Sequence, residues 1–303
     1  MQADPGFDPI AGQPDQIAPG LRRILAPNPS PMTFRGTNTY IVGQTDLAVI
    51  DPGPDNAAHL AAILAACGPE QRITHILVTH AHVDHSPLAR ALSRATGAPV
   101  MAYGDAQAGR SAVMDSLAQA GLAGGGEGVD AGFVPDACLA DGATVTGSDW
   151  QLQAIWTPGH FGNHLCFAMG DILFTGDLVM GWASSLVSPP DGDLTDFMAS
   201  CRCLRARADR IYLPGHGAPV TDPASRIDWL ITHRKAREAA IIKALQAAPA
   251  TAETLARQIY TETPAMLLPA AARNVFAHLV DLTGKNIIAP EGQLSWTARF
   301  HQL

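Results

Sequence analysis

Short apolar runs closed by Gly, Pro, Asn or Asp dominate the first two thirds of this chain. Residues 39–42 and 48–50 read as strands, with Gly43-Gln44-Thr45-Asp46 as the turn between them. Asp51-Pro52-Gly53-Pro54 ends the second strand. Residues 57–67 have helical composition, 73–78 form a β-branched run suited to a buried strand, 87–96 predict a helix and 100–103 a strand. Further strands are predicted at 152–156, 165–169 and 172–175, the last two joined by a Gly170-Asp171 hairpin turn, and a helix at 193–208 precedes a strand at 210–213. Strand and helix in repeated alternation predict an α/β architecture. Between residues 104 and 142 the pattern loosens around Gly124-Gly125-Gly126, which reads either as a mobile loop over the active face or as a surface insertion.

The pattern changes after Pro223. Residues 224–246 read as one long helix, followed by helices at 252–261 and 269–282, separated by Pro264 and capped early by Thr251. The end reads as a strand, a Pro290-Glu291-Gly292 turn and a second strand containing Trp296. Helices followed by a hairpin predict a small winged-helix-like domain at 224–303 behind a larger domain at 1–223.

With 303 residues, 47% hydrophobic and 16% charged, the chain has the material for a substantial core, which excludes general disorder. Its net charge of −8 argues against a protein that mainly coats nucleic acid or an anionic membrane. Residues 1–10 carry two Asp, two Pro and no apolar run, unlike an export signal, and no stretch is apolar for the length a bilayer requires. The five cysteines (Cys67, Cys138, Cys166, Cys201, Cys203) are scattered and odd in number, which points to a reducing cytoplasm rather than a disulfide framework. Cys201 and Cys203 lack a second Cys/His pair and read as ordinary helix residues.

The strongest chemical signal is Thr79-His80-Ala81-His82-Val83-Asp84-His85, directly after the strand at 73–78. A loop at a strand's carboxyl end is where an open α/β sheet places its ligand site. A sharp loop there can aim His80 and His82 at one metal ion and Asp84 and His85 at a neighbour. Three more residues stand just beyond predicted strands: His160 in Thr157-Pro158-Gly159-His160, Asp177 in Thr175-Gly176-Asp177, and His216 in Pro214-Gly215-His216-Gly217. Imidazole and carboxylate without thiolate suit two Zn²⁺ ions, with Fe²⁺ or Mn²⁺ as competitors.

These motifs resemble the metallo-β-lactamase superfamily, from about Gly36-Thr37-Asn38-Thr39-Tyr40 to His216. The resemblance implies an αββα sandwich with a one- or two-metal site between its sheets. Carried over by position, His80, His82 and His160 would hold the first metal, Asp84, His85 and His216 the second, and Asp177 would bridge them. Trp182, Ser188-Pro189-Pro190-Asp191-Gly192-Asp193, His233-Arg234 and Arg237-Glu238 resemble the lactamase-beta-2-like subgroup, which includes endoribonucleases and carries a winged-helix domain. Ala81, Val83 and Pro87-Leu88 depart from the common pattern, which changes the walls of the site rather than its ligands.

Two neighbouring cations sharing a water lower its pKa towards neutrality, and the bridging hydroxide is then the nucleophile. Asp84 is placed to orient it and accept its proton. Trp182, Ser184, Ser185 and His164 are the candidate substrate contacts; His75 reads as structural, and His59, His233, His278 and His301 as ordinary. The acidic chain favours a small-molecule ester, thioester or lactone as substrate. The subgroup resemblance favours single-stranded RNA. From Thr232 onward, eight basic and five acidic residues give the tail +3 and leave −11 for the rest, compatible with RNA contact or with a packing or homodimer surface. The helix at 269–282 has one Arg and no Lys, which counts against nucleic acid.

Overall fold

The computed structural model describes residues 6–125 and 128–303. One mixed sheet runs β1 (Pro14–Ala18), β2 (Leu21–Leu25), β3 (Asn38–Val42), β4 (Asp46–Ile50), β5 (Arg72–Leu77), β6 (Val100–Ala102) and β7 (Ala137–Cys138), in spatial as in chain order. Helices α1 (Ala57–Ala65), α2 (Leu88–Thr96) and α3 (Ala112–Gln119) lie in the crossovers of its parallel part, β4 to β7. The second sheet has the order β12-β11-β10-β9-β8, from β8 (Thr144–Thr146), β9 (Gln151–Trp156), β10 (Leu165–Met169), β11 (Ile172–Gly176) and β12 (Ile211–Pro214). Helix α4 (Leu194–Arg205) crosses from β11 to its parallel neighbour β12. The chain ends with α5 (Pro223–Ala247), α6 (Ala252–Ile259), α7 (Leu268–Gly284) and the hairpin β13 (Ile288–Pro290) and β14 (Phe300–Gln302).

Period-two alternation explains why the two sheets stack between helices. In β4, Leu47 and Val49 face one core with Ile63 of α1 and Leu92 of α2, while Ala48 and Ile50 face the other sheet. In β10, Leu165 and Phe167 point between the sheets, and Cys166 and Ala168 point towards Phe197 and Leu204 of α4. Three apolar layers result, helix–sheet, sheet–sheet and sheet–helix, which is the αββα sandwich. Phe167 lies fully buried opposite Phe174, so Phe167→Ala would cost about 3–5 kcal/mol.

Four helix starts follow the capping rules. The side chains of Asn56, Asp193, Asp222 and Thr251 accept from the first-turn N–H groups of α1, α4, α5 and α6 respectively, and Pro223 takes the first position of α5. Helix α5 joins two cores. Ile227 and Leu230 pack with Phe197 and Tyr212, whereas Ile241 and Leu245 pack with Val275, Phe276 and Phe300 of the C-terminal winged-helix unit.

The segment 104–142 corrects the expectation of a mobile loop or a surface insertion. Helix α3 sends Met114 and Leu117 into the C-terminal core, and Val129 bridges to His82. Val83 N–H donates to Gly128 O and Asp130 N–H to Ala81 O, so this segment braces the histidine loop. Of the glycine run, Gly126 lies outside the described residues, as does Glu127. Trp296, predicted within the last strand, instead lies in the connection before β14 and packs edge-on against Phe276 at 5.4 Å. Strands β1 and β2 escape the apolar pattern because Arg22 and Arg23 interrupt β2, and the first three residues of β1 are exposed. Arg23 is nevertheless buried, paired with Asp15 and lying over the Phe7 ring.

Candidate metal centre and its cavity

Strands β9, β11 and β12 run in the same direction, and their carboxyl ends deliver His160, Asp177 and His216 to one edge of the sandwich. The loop after β5 delivers His80, His82, Asp84 and His85 to the same edge from the facing sheet. All seven side chains are buried. Their donor atoms fall into two groups, His80, His82 and His160, and Asp84, His85, Asp177 and His216, with every atom in a group within 4.8 Å of the others.

In the first group, His82 Nδ1 lies 2.9 Å from His80 Nε2 and 3.0 Å from His160 Nε2. Nitrogens bound to one zinc ion at about 2.0–2.1 Å stand roughly this far apart. Burial, with the adjacent imidazoles, keeps His80 well below its ordinary pKa and takes His82 down to about 3; burial lowers His160 too. These are neutral donors at neutral pH. The second group is charged. Burial opposes the imidazolium, but Asp84 and Asp177 overcome it, raising His85 well above its ordinary value and His216 to about 10. Burial also opposes ionisation of Asp84 and Asp177, and the same two histidines overcome it, holding both carboxyls well below the carboxylate range.

Asp177 touches both groups. Its Oδ1 lies 3.6 Å from His85 Nε2, and its Oδ2 lies 3.2 Å from His216 Nε2 and 3.7 Å from His160 Nε2. Asp84 Oδ1 and Asp177 Oδ1 are buried without a hydrogen-bond partner. Buried carboxylate oxygens are rarely left so, and a cation would satisfy them. The cluster is able to bind a dinuclear metal.

The remaining imidazole nitrogens are fixed from behind, which aims the free one inward. His80 Nδ1 meets Thr79 Oγ1 at 2.9 Å, His160 Nδ1–H donates to Leu186 O at 2.7 Å, and His216 Nδ1–H to Gly36 O at 3.1 Å. His85 Nδ1–H donates to Asp51 Oδ2 at 2.9 Å. Asp51 also accepts from Thr79 N–H at 2.7 Å and Thr79 Oγ1–H at 2.8 Å, and sits at φ 50°, a conformation aspartate tolerates. Sequence reading treated Asp51 only as the end of a strand; its place in an Asp-Pro-Gly turn at a parallel strand's carboxyl end was the available signal. Asn163 braces the same loop by accepting from Ala81 N–H at 3.3 Å and donating to Asp105 O at 2.9 Å. The motif at residues 36–40 works similarly on His216: Asn38 Nδ2–H donates to Pro214 O and Gly217 O, and Tyr40 O–H to Pro214 O. Gly215 leaves room for Asp177, because a Cβ there would stand 2.5 Å from Asp177 Oδ1.

Above the cluster opens a cavity of about 240 Å³. His82, Asp84, His160, Asp177 and His216 reach its floor. Met32, Met180, Trp182 and Leu186 form apolar walls, and Tyr260, Leu267, Ala270 and Asn274 of the C-terminal unit form the roof. No lysine or arginine lines it among the described residues. The roof went unread in the sequence because its residues are small and apolar, indistinguishable by pattern from core.

The candidate substrate contacts divide. Trp182 and Ser184 line the cavity, Trp182 stacking on Phe34 at 5.2 Å. Ser185 does not line it; buried, it donates its hydroxyl to Leu178 O at 2.8 Å. His164 lies beneath the cluster, held by Thr157 Oγ1 at 2.9 Å and accepting from Asp177 N–H at 3.3 Å, so it orients the Asp177 loop rather than meeting substrate. The loop carrying Trp182 is pinned from α5 and α7. Arg226 donates to Met180 O and Ala183 O, the buried Arg234 donates to Ser185 O and Asn274 Oδ1, and Asn274 also accepts from Val187 N–H. Arg234, one of the motif residues behind the subgroup resemblance, therefore serves the cavity wall.

Comparison with known proteins agrees with this architecture. The sequence profile of the metallo-beta-lactamase superfamily matches residues 32–216, and that of the beta-lactamase associated winged helix domain matches residues 251–296. A beta-lactamase-like protein 2 homolog of Drosophila melanogaster is 31% identical, over 88% of this chain and 89% of its own length. An atrochrysone carboxyl ACP thioesterase of Aspergillus fumigatus is also 31% identical, over 77% of this chain and 67% of its own length. In fold, a beta-lactamase domain protein of Burkholderia ambifaria superposes with a TM-score of 0.81 at 22% identity, covering 99% of this chain and 96% of that one. The family profile, spanning more than half of the chain, and the buried His/Asp cluster in its two groups lead to one conclusion: the chain belongs to the metallo-beta-lactamase superfamily and is a hydrolase of that type with the associated winged helix domain.

Proposed function

We propose that this protein hydrolyses the thioester of an apolar acyl group at a dinuclear metal centre, with zinc as the metal that best suits an all-imidazole and carboxylate donor set. The observation that carries the reading is the cavity wall: methionine, leucine, tryptophan and alanine enclose the cluster, and no lysine or arginine among the described residues joins them. The A. fumigatus relative, named as a thioesterase, supports the same chemistry. The five free cysteines favour a reducing, cytoplasmic setting.

In this reading His80, His82 and His160 hold one ion, Asp84, His85 and His216 the other, and Asp177 joins them. Bound cations supply Lewis acidity, which makes water nucleophilic near neutral pH and polarises a carbonyl. The chain supplies the rest. Asp84, with an unpartnered oxygen at the cavity floor, orients the attacking water and takes its proton. Trp182, Met180 and Leu186 hold the acyl group and exclude bulk water, Ser184 offers a hydroxyl beside it, and the leaving thiol departs into solvent. RNA fits this cavity poorly, since a polyanion needs cations along its path. The single arginine of α7, Arg273, donates to Ala123 O at 2.7 Å and lies over Trp296.

The test is turnover by metal-loaded protein of acyl thioesters of graded chain length, lactones and single-stranded RNA, with Asp177→Ala as control. Thioesters should be hydrolysed, with KM falling as the acyl group lengthens, and Trp182→Ala and Leu267→Ala should each raise KM. Cleavage of RNA that vanishes in Asp177→Ala, with no thioester turnover, would replace this reading with an endoribonuclease.

A further inference from the structure

A second cavity, of about 190 Å³, lies away from the metal cluster at the seam of α4, α5 and α7. Leu194, Thr195, Met198 and Arg202 face it from α4, Arg234, Lys235 and Glu238 from α5, and His278, Asp281 and Lys285 from α7. His278 and Arg234 are each 1% exposed. Both ring nitrogens of His278 and the Nε of Arg234 are buried there without a hydrogen-bond partner. Unpartnered nitrogens on two buried residues that line one cavity are an exception to the rule that buried polar atoms are paired, and they call for an occupant.

The wall's charge indicates its chemistry. Four cationic side chains face two carboxylates. Lys285 Nζ meets both carboxylates, at 2.6 Å from Asp281 and 3.2 Å from Glu238, and Asp281 also accepts from Thr195 Oγ1–H at 2.7 Å. Lys285 thus answers one of the two negative charges, and three cationic side chains, Arg202, Arg234 and Lys235, outweigh the one that remains. Arg202 and Lys235 at the rim have no ion-pair partner among the described residues. Burial, then the nearby Arg234 and Lys285 charges, hold His278 well below its ordinary pKa, so its ring is neutral, with one N–H and one lone pair.

We propose that this seam cavity binds a hydrogen-phosphate-type oxyanion, whose oxygens accept from Arg234 Nε–H and the rim cations Arg202 and Lys235, and whose P–OH donates to the unprotonated ring nitrogen of His278. The site is separate from the metal centre but connected to it. The other nitrogens of Arg234 hold Ser185 O and Asn274 Oδ1, and so the loop that walls the active cavity. An anion on Arg234 Nε therefore fixes the guanidinium that fixes the loop.

Metal-loaded full-length protein would be titrated calorimetrically with inorganic phosphate, with glycerol phosphate and with sulfate at constant ionic strength. Hydrogen exchange would be followed at residues 183–187. The Arg202→Ala/Lys235→Ala double variant changes only the rim, and His278→Leu removes the inner partner; phosphate bound at the metal ions would persist in both. The expected result is a saturable site with phosphate preferred over sulfate, weakened about tenfold or more in the double variant, and slower exchange at 183–187 on binding. Tighter binding of glycerol phosphate would identify a phosphate monoester as the ligand, and tighter inorganic phosphate the free ion. Phosphate isotherms identical in wild type and the double variant, or no saturable binding, would overturn the site and leave ordered water as its occupant. Binding without altered exchange at 183–187 would overturn the link to the active cavity.

Discussion

The two halves of the metal cluster are built on opposite electrostatic plans. His80, His82 and His160 are neutral, and their facing nitrogens stand about 3 Å apart. Asp84, His85, Asp177 and His216 form a self-compensating set of two carboxylates and two imidazolium rings. The first group has no protons to lose when a cation arrives. The second must release those on His85 and His216. A cation is thus the natural occupant of the first group at any pH near neutral, whereas in the second it competes with protons.

Breaking the residue that joins the halves should have the largest effect. Asp177→Ala should lower kcat/KM about 10³-fold or more, the scale for losing a preorganised charge at the reacting centre, with metal content below two ions per chain by elemental analysis. Next come the halves themselves. His82→Ala should abolish the tighter binding phase in a chelator titration, while His216→Ala should keep it and lose the weaker phase; the reverse order would overturn the electrostatic comparison. Asp51→Asn touches the second half directly, through His85 Nδ1, and the first only through Thr79, so it should weaken the second ion by about 10–100-fold and the first less. The smallest effect concerns the metal-free protein. The folded pKa of His216, raised to about 10, gives stability that is present below the ordinary value of 6.5 and lost as pH rises to 10. The depressed carboxyls of Asp84 and Asp177 give stability that is present above the ordinary carboxylate range and lost as pH falls through it and below. Metal-stripped protein should therefore melt highest between the two ranges, and a Tm that climbs steadily from pH 6.5 to 10 would contradict this.

The candidate ligands stood out in the sequence far better than their setting. Histidine and aspartate at strand ends are polar residues where apolar ones would be expected, so each stands out against its neighbours. The sheets were legible for the same reason: strands such as β10, buried on both faces, differ sharply from the Gly-Asp turn that follows. The setting lacked that contrast. Leu267 and Ala270 roof the active cavity, yet in sequence they resemble core residues of α7 such as Val275. Asp51 and Asn163 act through partners 28 and 82 positions away, distances over which pattern carries no information. Ser185 and His164 show the converse. Proximity in sequence to ligands made them candidates for substrate contact, but the chain turns both inward to hold backbone or to steady Asp177.

Helix α5 has a kinetic consequence. Its 25 residues, about 37 Å at 1.5 Å per residue, run unbroken from the core beneath the metal-binding floor to the core of the roof. A rigid rod anchored at both ends leaves no hinge on which the roof could swing away from the floor. Substrate entry then falls to the rim, where Met32 and Leu267 line both the active cavity and a neighbouring one, and Met266 stands 72% exposed. Entry and product exit would then be set by the flexing of a few side chains, and viscosity or bulk at Met266 should change turnover.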